Sequence, residues 1–317
     1  NIISTSYTYS GSHKKLYFQF SPIQLNIVRL FNIDPSFYES LAGNPFMRNA
    51  YQDHFDFGLG GTMYYTTNTD VTPHSTYHYF RFQLNSAGNL LSLFNPLMSK
   101  NADGSRMVWN TPYSQYVRGE FTAGKTWVFG KNERQSVATR FLAGAGYAYG
   151  NSGALPFEQH FYAGGANSLR GWQARSVGPG LSVRDTSFVI PNQTGDMKLE
   201  ANAEYRFGLF WKVNGALFLD AGNVWTLNDT RHDSGSVSAD EVAEAKPGKL
   251  TADNFIKGIA LDWGAGLRLD LNFILVRLDL GIVLRDPSRD AGDRWAPPSR
   301  WFKRDGFSVH FGVGYPF

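Results

Sequence analysis

The sequence contains no cysteine among its 317 residues. A disulfide framework and a thiolate metal site are therefore both excluded for this chain. Long apolar runs are missing as well: no stretch approaches the roughly 20 consecutive apolar residues that a membrane-spanning helix needs, which excludes a helical membrane protein. The formal net charge is only +3, which is too small to indicate a nucleic-acid partner.

Catalytic signatures are equally scarce. The seven histidines and the serines form no HExxH pair, no nucleophile elbow and no ordered triad pattern. Gly58-x-Gly60-Gly61 and Gly144-x-Gly146 lie within predicted strands rather than at a strand-to-helix turn, so we interpret them as sites of close packing and not as phosphate loops. We expect a protein that is not an enzyme and that holds neither a cofactor nor a metal ion.

Glycine and aromatic residues are abundant: the chain has 33 glycines and 15% Phe, Trp and Tyr. This composition is typical of a transmembrane β-barrel, because only one face of each strand meets lipid. Apolar and polar residues alternate along almost the whole chain, which is the period of a one-sided strand. The alternation predicts about eleven strands, at 1–10, 15–30, 55–68, 76–91, 116–130, 138–150, 198–210, 213–225, 259–271, 273–285 and 307–317. Within the second of them, Pro22 predicts a bulge.

The connections between these strands alternate between short and long. Tight turns on one side and long irregular loops on the other are typical of an antiparallel outer-membrane barrel with periplasmic turns and extracellular loops. This parity places Phe317 on the periplasmic side. A water-soluble sandwich, with its apolar face turned towards a packed core, is the alternative that the parity argues against.

Eleven strands do not make a regular closed barrel. Bacterial single-chain barrels close with an even number of strands, and an open sheet edge cannot face lipid. We therefore expect further strands before Asn1. The chain begins in a strand-like pattern without a basic segment or an apolar signal segment before it, so we expect a mature or truncated C-terminal portion of an exported protein.

One long connection, 151–197, is named here the arginine loop. It contains Gly164-Gly165-Ala166-Asn167-Ser168-Leu169-Arg170-Gly171-Trp172. Glycines allow the backbone to turn tightly and to pack closely, and the arginine supplies a fixed fork of donors for a carboxylate. We predict that this loop folds inward and docks by Arg170 inside the barrel.

Two motifs resemble the BamA/TamA family of outer-membrane assembly barrels. Leu169-Arg170-Gly171-Trp172 resembles the family's loop-six motif [V/I/L]-R-G-[F/Y/W], and Phe218-x-Asp220-x-Gly222-x-x-Trp225 resembles its F-x-D-x-G-x-x-W signature. Ser21-Pro22-Ile23 and Asn44-Pro45-Phe46 resemble Bacteroidota-type members. The resemblance implies that residues 1–317 form the C-terminal part of a sixteen-stranded barrel, with the first strands and the periplasmic POTRA repeats upstream.

The resemblance also implies partners for Arg170. In the family, the arginine pairs inside the lumen with acidic residues on the next two strands. Glu204 and Asp220 occupy those positions, and the strand alternation directs both away from the apolar face. The pairing is expected to hold the loop and not to carry chemistry on a substrate.

The C-terminus fits the signal by which barrels are recognised for assembly, His310-x-Gly312-x-x-Tyr315-x-Phe317. Gly312 and Gly314 are expected to weaken this last strand, because glycine adds no packing and costs entropy. A weak last strand suits the lateral seam proposed for the family. The alternation predicts that one face carries Val309, Phe311, Val313, Tyr315 and Phe317.

The function implied by the resemblance is insertion of β-barrel proteins into the bacterial outer membrane through that seam. Its partners would be nascent outer-membrane proteins, membrane lipids and accessory lipoproteins, without nucleic acid. A TamA/TamL-like module and a two-partner secretion pore remain as alternatives. A passive porin is disfavoured, because an inward loop would plug its channel.

Overall fold

The alternating segments form one antiparallel sheet of eleven strands within the part of the chain that the structure describes. The structure is a computed structural model, and it describes residues 2–29, 53–68, 75–102, 104–130, 134–183, 193–227, 246–271 and 273–317. The strands in these ranges are β1 (Ile2–His13), β2 (Leu16–Val28), β3 (His54–Thr66), β4 (Tyr77–Ala87), β5 (Met107–Val108), β6 (Thr111–Pro112), β7 (Tyr116–Phe129), β8 (Gln135–Ala148), β9 (Met197–Phe210), β10 (Val213–Trp225), β11 (Ala260–Asp270), β12 (Leu275–Arg285) and β13 (Phe307–Val313).

The order of the sheet follows the order of the chain. Each long strand pairs with the next, from β1 to β13, while β5 and β6 pair only with each other in the connection between β4 and β7. Among the residues that the structure describes, two short α-helices lie in connections, α1 (Asn89–Ser92) and α2 (Ala252–Lys257). In the described ranges, no helix is both long and apolar enough to cross a membrane. The predicted all-β antiparallel meander of eleven strands is confirmed.

Two details of the predicted strands have local causes. The register of β2 against β3 shifts between Ser21 and Gln24, so the bulge predicted at Pro22 is confirmed; proline has no N–H to give to the ladder. The predicted strand 76–91 ends earlier, at Ala87, because Gly88 adopts a φ of 77° and α1 follows it. Asn44, Pro45 and Phe46 lie outside the described residues.

The two faces of the sheet have opposite chemistry. Its exposed face is apolar: Leu217 and Leu219 of β10 are 48% and 49% exposed. The other face carries buried charges, as Glu204 of β9 and Asp220 of β10 illustrate at 1% and 0% exposed. An apolar exterior around a charged interior is the arrangement of a barrel in lipid, and it is the reverse of the soluble sandwich. The exposed apolar face includes Phe80, Phe82, Phe121, Phe141, Leu267 and Leu278.

The end of the chain differs from the prediction. Strand β13 stops at Val313, and Gly314 follows with a φ of 80°. The tail then turns inward: the ring of Tyr315 lies 4.0 Å from the guanidinium carbon of Arg206, and the Phe317 carbonyl accepts a hydrogen bond from the same side chain at 3.3 Å. The prediction that Tyr315 and Phe317 continue the outward face is therefore wrong, because a left-handed glycine interrupts the strand alternation.

Candidate functional site

The arginine loop runs between β8 and β9 and closes into a tight turn at its tip. The N–H of Gly165 donates to the carbonyl of Trp172 at 2.9 Å, and the N–H of Ser168 donates back to the Gly165 carbonyl at 3.0 Å. Gly164 and Gly165 have φ angles of 95° and 101°, where a side chain would be strained. The Ser168 hydroxyl accepts the N–H of Gly164 at 3.0 Å. These glycines let the tip fold back on itself.

Apolar side chains seat this tip on the inner face of the sheet. Leu169 and Trp172 are 0% and 3% exposed. Burying two side chains of this size contributes on the order of 2 kcal/mol each. The buried cluster around them consists of Phe161, Ala163, Leu169, Trp172, Val177, Val224, Ala260 and Val283.

Arg170 stands between these apolar contacts and is itself fully buried. Its Nε and Nη2 donate to the two carboxylate oxygens of Asp220 at 2.9 and 3.0 Å, which is a bidentate pair. Its Nη1 donates to Glu204, and its backbone N–H donates to Asp220 at 3.2 Å. The structure thus brings together Arg170, Glu204 and Asp220.

Further groups complete the coordination of Arg170. The guanidinium carbon lies 3.5 Å from the ring centre of Phe218, close enough for a cation–π interaction. Asn202 donates from Nδ2 to Asp220 at 2.9 Å and to the Ser168 carbonyl at 3.0 Å. Sequence reasoning did not assign a role to Phe218, although it stands two residues before Asp220 and therefore on the same strand face.

Two glycines allow the loop backbone to approach the sheet. A Cβ placed on Gly171 would lie 2.6 Å from the Cβ of Asp262 on β11. A Cβ on Gly281 of β12 would lie 2.6 Å from the Gly171 N and would overlap the Arg170 carbonyl. Any side chain at either position would lift the arginine away from its carboxylates. Gly171 belongs to the predicted motif, but sequence reasoning missed Gly281.

The ion pairs of Arg170 continue across neighbouring strands. Glu204 also accepts Arg206 Nε at 2.8 Å and Arg268 Nη2 at 3.0 Å. Arg268 in turn pairs with Asp279 at 2.6 Å, and Asp279 pairs with Arg277 at 2.8 Å. Arginine and carboxylate therefore alternate through β9, β11 and β12, so the buried charges compensate one another.

The alternating network also holds the loop tip a second time. Arg277 Nη1 donates to the Ala166 carbonyl at 2.8 Å, and Arg140 on β8 donates to the Asn167 carbonyl at 2.8 Å. Ser168 Oγ donates to Glu200 on β9. The docked tip is therefore bound by polar groups of β8, β9, β10 and β12, and what this arrangement does is fix a loop against a sheet.

Comparison with known families decides what kind of barrel this is. The model of the Omp85 superfamily domain matches residues 8–317. The chain belongs to the Omp85 superfamily. The family predicted from the two motifs is thereby confirmed, and with it the assignment to outer-membrane β-barrel proteins.

Relatives of this Omp85 chain include an assembly factor. The chain is 30% identical over 123 residues to the outer membrane protein assembly factor BamA of Neisseria meningitidis serogroup B, a match that covers 37% of this chain and 15% of that protein. Among solved structures it is similar to BamA from Haemophilus ducreyi lacking POTRA domains 1–3, with a TM-score of 0.44 and 14% identity, over 99% of this chain and 62% of that one. It is also similar to CdiB from Acinetobacter baumannii, with a TM-score of 0.36 and 11% identity, over 98% and 50%.

The last strand of the Omp85 sheet contacts the arginine loop directly. His310 on β13 donates from Nε2 to the backbone carbonyl of Arg170 at 3.1 Å, because a carbonyl can only accept. Gly312 leaves room for its neighbour: a Cβ there would lie 2.6 Å from the Arg277 Nε. Sequence reasoning assigned His310 to the C-terminal signal and did not predict its contact with the loop.

The N-terminal strands of the Omp85 sheet contact an earlier part of the same loop. Glu158 accepts a hydrogen bond from Asn26 on β2 at 3.0 Å and lies 2.8 Å from the His54 Nε2 on β3. His160 follows, with its Nδ1 3.2 Å from the Thr194 hydroxyl; burial lowers the pKa of His160 to about 4, so its imidazole is neutral at pH 7. The arginine loop is thus attached to two distant sets of strands.

Proposed function

We propose that this Omp85 chain inserts β-barrel proteins into the outer membrane by offering its last strand as a template for an incoming strand. The observation that carries the proposal is the short length of β13 and its position at the edge of the described sheet. It has seven residues, whereas the other strands of the described sheet have 11 to 14. It lies at an edge of the described sheet with seven residue pairs to β12, compared with fourteen between β7 and β8.

An edge strand presents unpaired N–H and C=O groups to another chain. A client strand can add to such an edge by β-augmentation, in which main-chain hydrogen bonds supply the affinity and few side chains are specified. A short ladder to β12 makes the edge easier to displace than a full-length one. The proposed partners are nascent outer-membrane β-barrel proteins, the surrounding lipids and accessory lipoproteins.

The docked arginine loop supports insertion over passage through the lumen. Its tip is buried against four strands, where Arg170 pairs with Glu204 and Asp220, and undocking it would leave Asp220 buried without its cation. A two-partner secretion pore shares the arginine loop but exports its partner through the lumen, so it would need this loop to leave the lumen during transport. The proposed process is noncovalent and uses no enzymatic step, cofactor or nucleic acid.

Depletion of the full-length protein tests the proposal. We expect folded, heat-modifiable barrels to decrease across many unrelated outer-membrane proteins. A loss restricted to one or a few proteins would contradict a general insertase and would favour a TamA/TamL-like or secretion role instead.

A second experiment examines the seam itself. Because this chain has no cysteine, a single Val309→Cys on β13 can be cross-linked to a client stalled during folding. We expect cross-links at Val309 and not at Phe141→Cys, which is equally outward but lies on the interior strand β8. Equal cross-linking at both positions would contradict templating by the last strand.

A further inference from the structure

Three side chains near the N-terminal strands, remote from Arg170, have the composition of a metal site. His54 and Asp56 lie at the start of β3, and Glu158 lies on the arginine loop. Each offers one ligand atom, and these atoms all lie within 4.8 Å of one another. His54 and Asp56 project to the same face because they are two residues apart on a strand.

Asp56 is the member of this group that the protein itself does not satisfy. It is 5% exposed, and neither of its carboxylate oxygens has a hydrogen-bond partner among the described residues. Ser114 and Asn26 lie near it but make no hydrogen bond of regular geometry to it. The His54 Nε2 is 3.9 Å from Oδ2, which is too long for a hydrogen bond. A buried carboxylate in this condition is costly without a positive partner.

The geometry of the three groups fits a small divalent ion. Nitrogen and oxygen ligands bind zinc at about 2.0–2.2 Å in a tetrahedral arrangement, which places ligand atoms roughly 3.3 Å apart. The His54 Nε2 is 2.8 Å from Glu158 Oε1 and 3.9 Å from Asp56 Oδ2. Shifts of about half an ångström in each side chain would bring both distances to the value that tetrahedral coordination requires.

Space and access for the ion are also present. A cavity of ≈ 350 Å³ opens beside Asp56 and is lined in part by Asn26, Gly58 and Gln159. It can admit an ion and the water that fills its fourth position. Glu158 is the most accessible ligand, with 38% of its side chain exposed.

We propose that His54, Asp56 and Glu158 form a binding site for a divalent transition-metal ion of the zinc class, which links β3 to the arginine loop. Imidazole distinguishes this site from sites for Ca²⁺ and Mg²⁺, which are built from oxygen ligands. The bound ion takes the place of the contact between His54 and Glu158 and supplies a positive charge beside Asp56. It thereby fastens the early part of the arginine loop opposite its Arg170 anchor.

Zinc stoichiometry on the purified full-length protein tests this proposal. The protein is stripped with a chelator, dialysed against Zn²⁺ and analysed for bound metal. We expect His54→Ala and Asp56→Asn to bind one zinc fewer per chain than the unmodified protein. His13→Ala and Asp290→Asn, which alter exposed residues of the same types, are expected to bind the same amount as the unmodified protein.

Glu158→Gln keeps the experiment decisive if a β3 variant fails to fold. Glutamine can still hydrogen-bond to His54 but is a far weaker zinc ligand, so we expect at least a tenfold loss of zinc affinity in a barrel that migrates as folded. Zinc should raise the temperature at which the unmodified barrel loses its folded migration, and should not do so for Glu158→Gln. Equal stoichiometry in all variants, or Ca²⁺ binding that survives His54→Ala, would overturn the assignment.

Discussion

His310 on the last strand hydrogen-bonds the backbone carbonyl of Arg170, 140 residues earlier in the chain, at 3.1 Å. The edge strand of the sheet is thus connected to the docked loop by a side-chain hydrogen bond, in addition to its ladder with β12. The proposed template strand and the loop therefore share a side-chain contact that can be removed without altering a main-chain group of either.

The first prediction concerns that contact. His310→Phe removes the hydrogen bond to the Arg170 carbonyl. We therefore expect the free energy of unfolding to fall by about 0.5–1.5 kcal/mol. The β13 amides should exchange with solvent faster, as measured by hydrogen–deuterium exchange. His78→Phe on β4 changes a histidine of the opposite face and should leave β13 exchange unaltered; acceleration in both variants would contradict a specific link.

The second prediction concerns the arginine itself. Arg170→Ala leaves Asp220 buried without its cation, whereas Glu204 keeps Arg206 and Arg268. Breaking a buried pair in this way costs about 3–5 kcal/mol of unfolding free energy. Arg170→Lys keeps the charge but not the bidentate geometry, so it should lower the stability by a smaller but measurable amount. The quantity to follow is the temperature at which the barrel loses its folded migration on a gel. Arg81→Ala, at an exposed arginine, is the control, and an equal loss there would refute the role of the buried pair.

The third prediction concerns the seat below the loop. Gly281→Ala places a methyl group against the Arg170 carbonyl, and overpacking of this kind costs about 1–3 kcal/mol. Proteolysis within the arginine loop should become faster in this variant. Gly119→Ala on β7 is matched, because its Cβ meets only ordinary contacts, the nearest at 3.8 Å, and it should be neutral. Resistance of the loop in Gly281→Ala would show that the close approach is dispensable.

The fourth prediction concerns the aromatic ring under the guanidinium. Phe218→Leu retains an apolar side chain but removes the π face. We therefore expect the free energy of unfolding to fall by about 1–2 kcal/mol. A double-mutant cycle with Arg170→Met, which removes the cation, isolates the pairwise term, and a coupling energy near zero would argue against the cation–π contact. Phe141→Leu, on the exposed face, controls for the loss of an aromatic ring from a strand.

Much of the fold follows from residue patterns. Period-two alternation predicts the strands because a one-sided strand in lipid must alternate, and the two motifs direct Arg170 towards Glu204 and Asp220. Alternation gives only the face of a residue, however, and not its height against residues of other strands. For that reason the contacts of Arg268 with Glu204 and Asp279 were not predicted. They depend on the register across β9, β11 and β12.

Contacts between distant parts of the chain could not be predicted from the sequence either. His54 and Glu158 are 104 residues apart, and no spacing rule joins a strand residue to a long loop over such a distance. Tyr315 and Phe317 were assigned to the wrong face because a strand pattern carries no sign of the backbone reversal at Gly314. Gly281 lies among apolar strand residues, and only the loop above it explains why it has no side chain.

The position of the arginine loop in the chain determines when it can dock. Arg170 precedes every strand that receives the loop tip except β8: Glu204 lies on β9, Asp220 on β10, and His310 on β13. In synthesis from the N-terminus, the tip is made before its receptors. Complete docking of the tip requires that β9, β10 and β13 are in place, so we expect it late in the maturation of the barrel. The time at which the arginine loop becomes resistant to protease should therefore indicate when the last strand has paired.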